Sequence, residues 1–131
     1  MNKISAFLDY ASEVADAMAA GKPVVALEST VIAHGLPHPV NLETAASLQR
    51  IIREFGAVPA TTAIMDGRIK VGLDEAELER LATASDVRKL STRDMAIALT
   101  GGETGATTVA ATMQIAALAG IRVFATGGIG G

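Results

Sequence analysis

Residues 24–30 read VVALEST. Four consecutive apolar residues, Val24 to Leu27, have the length and β-branching of a strand buried on both faces. Glu28 follows at once, then Ser29, Thr30 and a second apolar pair, Val31 and Ile32. An unpaired buried carboxylate is costly. A strand of this kind belongs to a sheet with helices packed on it. The stretch therefore decides for an α/β architecture and leaves a question about Glu28.

The composition agrees. Half of the 131 residues are apolar, yet there are only three Phe and one Tyr, so the core must be built from Ala, Val, Ile and Leu. With 13 Gly, that suits helices packed closely on a parallel sheet. The length is enough for one domain with a core of its own, and residues 1–131 read as part of a single α/β domain. The net charge of −3, with no basic block, argues against nucleic-acid binding and against an anionic membrane surface. The absence of Cys excludes disulfides and thiolate metal sites. Asp9, Glu13 and Asp16 interrupt the apolar pattern of the first segment, which is neither a signal peptide nor a membrane span.

Outward from the strand, Ile4, Phe7, Leu8, Ala11, Val14, Ala15 and Met18 predict a helix over residues 4–19, stopped at Gly21. Gly35, Pro37 and Pro39 make residues 33–40 a loop. Asn41 is the expected cap of a helix that runs to Phe55 and ends at Gly56. Asp66-Gly67 between short apolar runs predicts a tight hairpin. Asp74 and Glu77 have capping-box spacing before another helix, and Ser91 and Asp94 repeat it before MAIAL. Residues 87–90 are a candidate strand, residues 101–108 a Gly-rich loop entering a small-residue helix, and residues 121–126 a buried strand. The fold expected is a layered α/β/α domain with a mostly parallel sheet. A helix normally follows a strand and Gly-rich loop like the last ones, so the domain reads as incomplete at its C-terminus.

Chemistry in such folds gathers where strands end. Glu28 there is a candidate general acid or base, against the plainer reading of a helix cap or ion pair. His34 and His38 are four apart, but Pro37 and Pro39 deny them the helix that a two-histidine metal site needs. Lys89 beside Arg88 is a solvated edge charge or an anion contact. Residues 101–112, GGETGATTVAAT, offer backbone N–H groups at a helix entrance, with Thr107 and Thr108 in its first turn. Residues 126–131, TGGIGG, supply only the first two glycines of a dinucleotide fingerprint, Gly128 and Gly130.

Together, KPVVALESTVIAHGLP, GAVPATTAI, VRKLSTRD, GATTVAAT and AGIRVFATGGIGG resemble, in this order, the N-terminal part of the pseudouridine-5′-phosphate glycosidases. The resemblance runs from about Lys22 to Gly131. It implies reversible cleavage of the C–C bond joining uracil to ribose 5-phosphate, with manganese as the metal. It implies a Schiff base to a Lys, with Glu28 as proton donor and Lys89 and Val109 as substrate contacts. It also places the Schiff-base Lys and the metal-binding Asp beyond Gly131, so this chain alone is expected to be inactive. A homotrimer in the cytoplasm acting on a small-molecule substrate is the further implication. Two rival readings are an inactive chain that serves only as an oligomerisation partner, and a nucleotide-binding module built on TGGIGG.

Overall fold

The computed structural model describes residues 3–129. The chain forms strand β1 (Leu8–Tyr10), helix α1 (Ser12–Ala19), β2 (Val24–Leu27), α2 (Val40–Glu54), β3 (Val58–Met65), β4 (Arg68–Val71), α3 (Glu75–Thr83), β5 (Arg88–Leu90), α4 (Met95–Thr100), β6 (Gly105–Thr107), α5 (Val109–Ala119) and β7 (Val123–Ala125). A π-helical turn covers Val31–Gly35, and short 3-10 turns cover Lys3–Phe7 and Thr92–Asp94.

Strand β3 is the trunk of the sheet. Its side chains alternate between two cores, as the two-residue period of a strand requires. Ala60 and Ile64 pack with Val14 of α1, Met95 and Ala98 of α4, and Ile115 of α5. Ala63 and Met65 pack with Ala45 of α2 and with Leu78 and Leu81 of α3. Helices thus cover both faces, which gives the α/β/α layering. The sheet is mostly parallel: β1 with β4, β2 with β3, β2 with β7, and β5 with β6. The exceptions are β4 and β6, both antiparallel to β3.

The hairpin forms as expected, with Asp66 at φ 51° and Gly67 at φ 75°, the double left-handed turn that suits the twist of the strands. Asp74 caps α3 reciprocally with Glu77, by bonds of 2.8 and 3.1 Å. Five expectations are corrected. The helix over residues 4–19 is split, because Leu8–Tyr10 pairs with Ile69, Lys70 and Val71 and only Ser12–Ala19 is α-helical. Asn41 does not cap α2. It lies inside the first turn, buried, and its Nδ2 donates to the carbonyls of Ile32 and Ala82, each at 2.9 Å. The Gly-rich loop contains β6, and the loop over residues 33–40 begins inside the π-helical turn. Finally β7 is an exposed edge and not a buried strand, since Val123 is 56% accessible.

Strand β2 aligns Val24–Leu27 with Val58–Thr61. Strand β6 sets Ala106 and Gly105 against Ala63 and Ile64. The Val58 N–H donates to Pro23 on the β2 side, whereas the Thr61 carbonyl accepts from Gly72 on the β4 side. That alternation puts β2 and β6 on the same edge of β3, opposite β4. They run in opposite directions, so their C-terminal ends meet head to head beside Thr62. With β7 parallel to β2 and β5 parallel to β6, the C-terminal ends of four strands converge on one seam.

Candidate functional site

The seam interrupts the ladder, and its backbone groups need other partners. Hydroxyl side chains supply many of them. Ser29 Oγ accepts from the Thr107 N–H at 2.8 Å, and the Ser29 N–H donates to the Thr107 carbonyl at 3.3 Å. Thr30 Oγ1 donates to that carbonyl at 2.8 Å. Thr107 Oγ1 donates to the Thr62 carbonyl at 2.9 Å and accepts from Thr112 Oγ1 at 3.0 Å. Thr62 Oγ1 lies 3.4 Å from the Leu27 carbonyl it donates to. Ser29, Thr62, Thr107 and Thr112 are fully buried, and among the described residues no buried side-chain polar atom lacks a partner. A satisfied buried network of this kind fixes geometry, because breaking any member strands the others.

Glu28 leaves the end of β2 at this seam, half-buried. Its Oε1 accepts from Thr126 Oγ1 at 3.1 Å, just past the end of β7. The carboxylate is therefore neither buried alone nor ion-paired. It borders two hollows. The first is a cleft of about 640 Å³ lined also by Thr30, His34, Lys89, Ser91, Thr108 and Val109. The second, of about 250 Å³, is apolar, with Leu27, Ile32, Ala45, Leu48 and Ala125 in its wall.

Each element delivers its residue for a local reason. Lys89 is the middle residue of β5 and is exposed toward the cleft it lines. Arg88 does not share that cleft and is ion-paired with Glu103. Val109 opens α5, where Thr108 accepts from the Ala111 N–H at 3.3 Å and so caps the helix. The backbone N–H groups of this first turn carry partial positive charge next to Lys89. The site thus joins a carboxyl group, a lysine and helix-terminal donors in a cleft, beside an apolar pocket.

Glu28, Lys89 and Val109, singled out in the sequence, line this one cleft, and His34 lines it as well. His38 is not part of its lining. Sequence reasoning missed Thr126, Thr30, Ser91 and the seam hydroxyls Ser29, Thr62 and Thr112. The available signal was the run of hydroxyl residues just past or inside apolar strands, where each buried hydroxyl needs a partner. Gly130, the second glycine of the fingerprint reading, lies outside the described residues.

A third hollow, of about 630 Å³, lies where α1, α2, β4 and α3 meet. Both cations in its wall are ion-paired: Arg53 with Glu13 at 2.5 Å, and Lys70 with Glu77 at 2.8 Å and Asp9 at 3.6 Å. The Arg68 guanidinium bonded to Asp9 holds that carboxyl below its usual range, and Arg80 does the same to Asp66 at the hairpin. These pairs brace the fold and offer no reactive group. Among the described residues no helix is long and apolar enough to cross a membrane.

Comparison with known proteins follows the same lines. The sequence profile of the family described as Indigoidine synthase A like protein matches residues 13–131. A pseudouridine-5′-phosphate glycosidase of Deinococcus radiodurans is 58% identical over 130 residues, which is 99% of this chain and 42% of that protein. One from a Jannaschia species is 62% identical over 124 residues, 95% of this chain and 41% of the relative. The chain thus spans about two fifths of the length of these curated relatives. Among solved structures, the prealnumycin C-glycosynthase AlnA in complex with ribulose 5-phosphate superposes with a TM-score of 0.84 at 46% identity. An indigoidine synthase A-like protein of Thermotoga maritima gives 0.85 at 37% identity, and both cover 95% of this chain and 40% of the neighbour.

Proposed function

Because the chain belongs to the Indigoidine synthase A like protein family, we propose that it carries the acid and substrate-anchoring half of a pseudouridine-5′-phosphate glycosidase site. The observation that supports this most is the gathering of Glu28, Lys89 and Val109 in one cleft at the seam, in a chain 58% identical to a relative of that name. The substrate joins uracil C5 to ribose C1′. A C–C bond offers no leaving oxygen to protonate, so acid-assisted glycoside hydrolysis does not apply. Opening the ribose and attaching an amine creates an electron sink that weakens the bond. As it breaks, uracil C5 takes up a proton, and the Glu28 carboxyl is the group we assign to hold it. Lys89 and the first turn of α5 anchor the anionic sugar phosphate.

The amine and the manganese ligand belong, on this reading, to sequence outside residues 1–131. Among the described residues no three His, Cys, Asp or Glu are placed to hold a metal ion. By the same family reading the working enzyme is a cytoplasmic homotrimer, and this chain alone is inactive.

The test is a chimaera in which residues 1–131 replace the matching segment of the Deinococcus radiodurans relative. The chimaera is expected to cleave pseudouridine 5′-phosphate, releasing uracil. Glu28→Gln in it keeps the shape and the Thr126 contact but loses the proton. We expect kcat to fall by about 100-fold or more, the scale of general-acid catalysis. Turnover near that of the parent chimaera refutes the assignment.

A further inference from the structure

We infer that Ser29 and Thr107 are positioning residues: the bonds that join Ser29 to the Thr107 backbone across the seam, together with the contacts of the Thr107 hydroxyl to Ser29 Oγ at 3.3 Å and to the Thr62 carbonyl at 2.9 Å, set Glu28 in register with the half of the cleft that anchors the substrate. The inference rests on the glycosidase reading above and goes beyond it. Glu28 belongs to the β2–β7 half of the sheet, because it follows β2 and is held by Thr126 after β7. Lys89 and Val109 belong to the β5–β6 half, on β5 and immediately after β6. Among the described residues no strand ladder joins the two halves directly, and both pair with the trunk β3, one through Val58–Thr61 and the other through Ala63 and Ile64.

What crosses the seam next to Glu28 is a small, largely buried set of bonds. Ser29, the neighbour of Glu28, both accepts from the Thr107 N–H and donates its own N–H to the Thr107 carbonyl. Thr30 adds a bond to the same carbonyl. Thr107 Oγ1 in turn donates to the carbonyl of Thr62, the trunk residue at the gap. Thr107 is two residues from Val109. One peptide step thus separates the bridge from the proton-carrying residue on one side, and two separate it from a substrate contact on the other. Ser29 and Thr107 have no accessible surface, so neither hydroxyl is exposed to the cleft to serve substrate. Removing a hydroxyl leaves each half intact, with its own contacts to its part of the substrate. The distance between acid and reacting carbon is what changes, and small misplacements of that kind act on the chemical step.

The experiment uses the chimaera, with four variants: Ser29→Ala, Thr107→Val, Thr107→Ser and Glu28→Gln. Thr107→Val keeps the shape and loses the hydroxyl, whereas Thr107→Ser keeps the hydroxyl and loses a methyl group. We expect Ser29→Ala and Thr107→Val to lower kcat by about tenfold or more with KM within about threefold. Thr107→Ser is expected to stay within about threefold of the parent in kcat. The proposal is overturned if Thr107→Val keeps its kcat, if Thr107→Ser loses as much as Thr107→Val, or if the losses appear in KM alone. The two Thr107 variants decide the matter even if Ser29→Ala fails to fold. If the parent chimaera does not release uracil, or Glu28→Gln is fully active, it is the glycosidase reading that fails.

Discussion

Adding one methyl group at Gly105 is expected to destabilise the fold through a single neighbour. A Cβ built there lies 2.4 Å from both Cγ and Cδ1 of Leu90 and 3.0 Å from the Arg88 carbonyl oxygen. Carbon atoms in contact sit about 3.5–4.0 Å apart, so Leu90 or the whole of β5 must retreat by about 1 Å. Leu90 is fully buried and has nowhere to go. Overpacking of this kind costs about 1–3 kcal/mol, and we place Gly105→Ala in the upper half of that range. Leu90→Ala alone leaves a cavity and costs about 3 kcal/mol. The double variant should cost far less than the sum of roughly 5 kcal/mol, because the new methyl sits where the Leu side chain was and recovers about 0.8 kcal/mol of packing. A coupling of roughly 2–3 kcal/mol in its favour is expected. Urea midpoints of the parent chimaera and the three variants, followed by circular dichroism in this Trp-free segment, measure it. Additive losses, within about 0.5 kcal/mol, refute the steric account.

Asn41→Ala should cost about 1–3 kcal/mol, since it removes the donor from the buried Ile32 carbonyl and from the half-buried Ala82 carbonyl; an unchanged urea midpoint shows that the tether is idle. Acid should destabilise the chain through Asp9 and Asp66. Their folded values lie below the unfolded value of about 3.9, held down chiefly by bonds from Arg68 and Arg80. The unfolded chain therefore takes up protons first, and this stability is full above pH of about 4 and is lost as pH falls through the folded values. Asp66→Asn suits the left-handed turn, so the Asp9→Asn/Asp66→Asn variant should show a smaller fall in urea midpoint between about pH 7 and pH 3 than its parent. An equal fall contradicts the assignment.

What could be read from the sequence was whatever is fixed locally. Asp66-Gly67 specifies its hairpin by backbone conformation alone, and the Asp74 capping box needs only residues three apart. The split of residues 4–19 could not be read, because Ile4, Phe7, Leu8 and Ala11 do have helical spacing. The backbone of Leu8–Tyr10 instead pairs with β4, and that partner lies some sixty positions away. Strand β6 is three residues long and begins with Gly, so its local preference says loop, and its pairing with both β3 and β5 overrides it. Asn41 looked like a cap because Asn caps helices well; its two distant carbonyl partners are a tertiary fact. For the site, the position of Glu28 at a strand end was legible. Its meeting with Lys89 and Val109 came from the family resemblance and the seam. No local pattern tells which way β6 runs along β3.

The seam also bears on when the site comes into being. The Ser29–Thr107 bond closes a separation of 78 residues, and the Glu28–Thr126 bond one of 98. Contacts this remote are the slow ones in folding, because chain entropy must be given up before they form. The β3–β4 hairpin can form early from residues side by side in sequence, yet none of its residues lines the cleft. The cleft thus belongs to the completed fold and is absent from partly folded states. A ligand that binds there meets only the fully assembled chain, and by mass action it draws the folding equilibrium toward it.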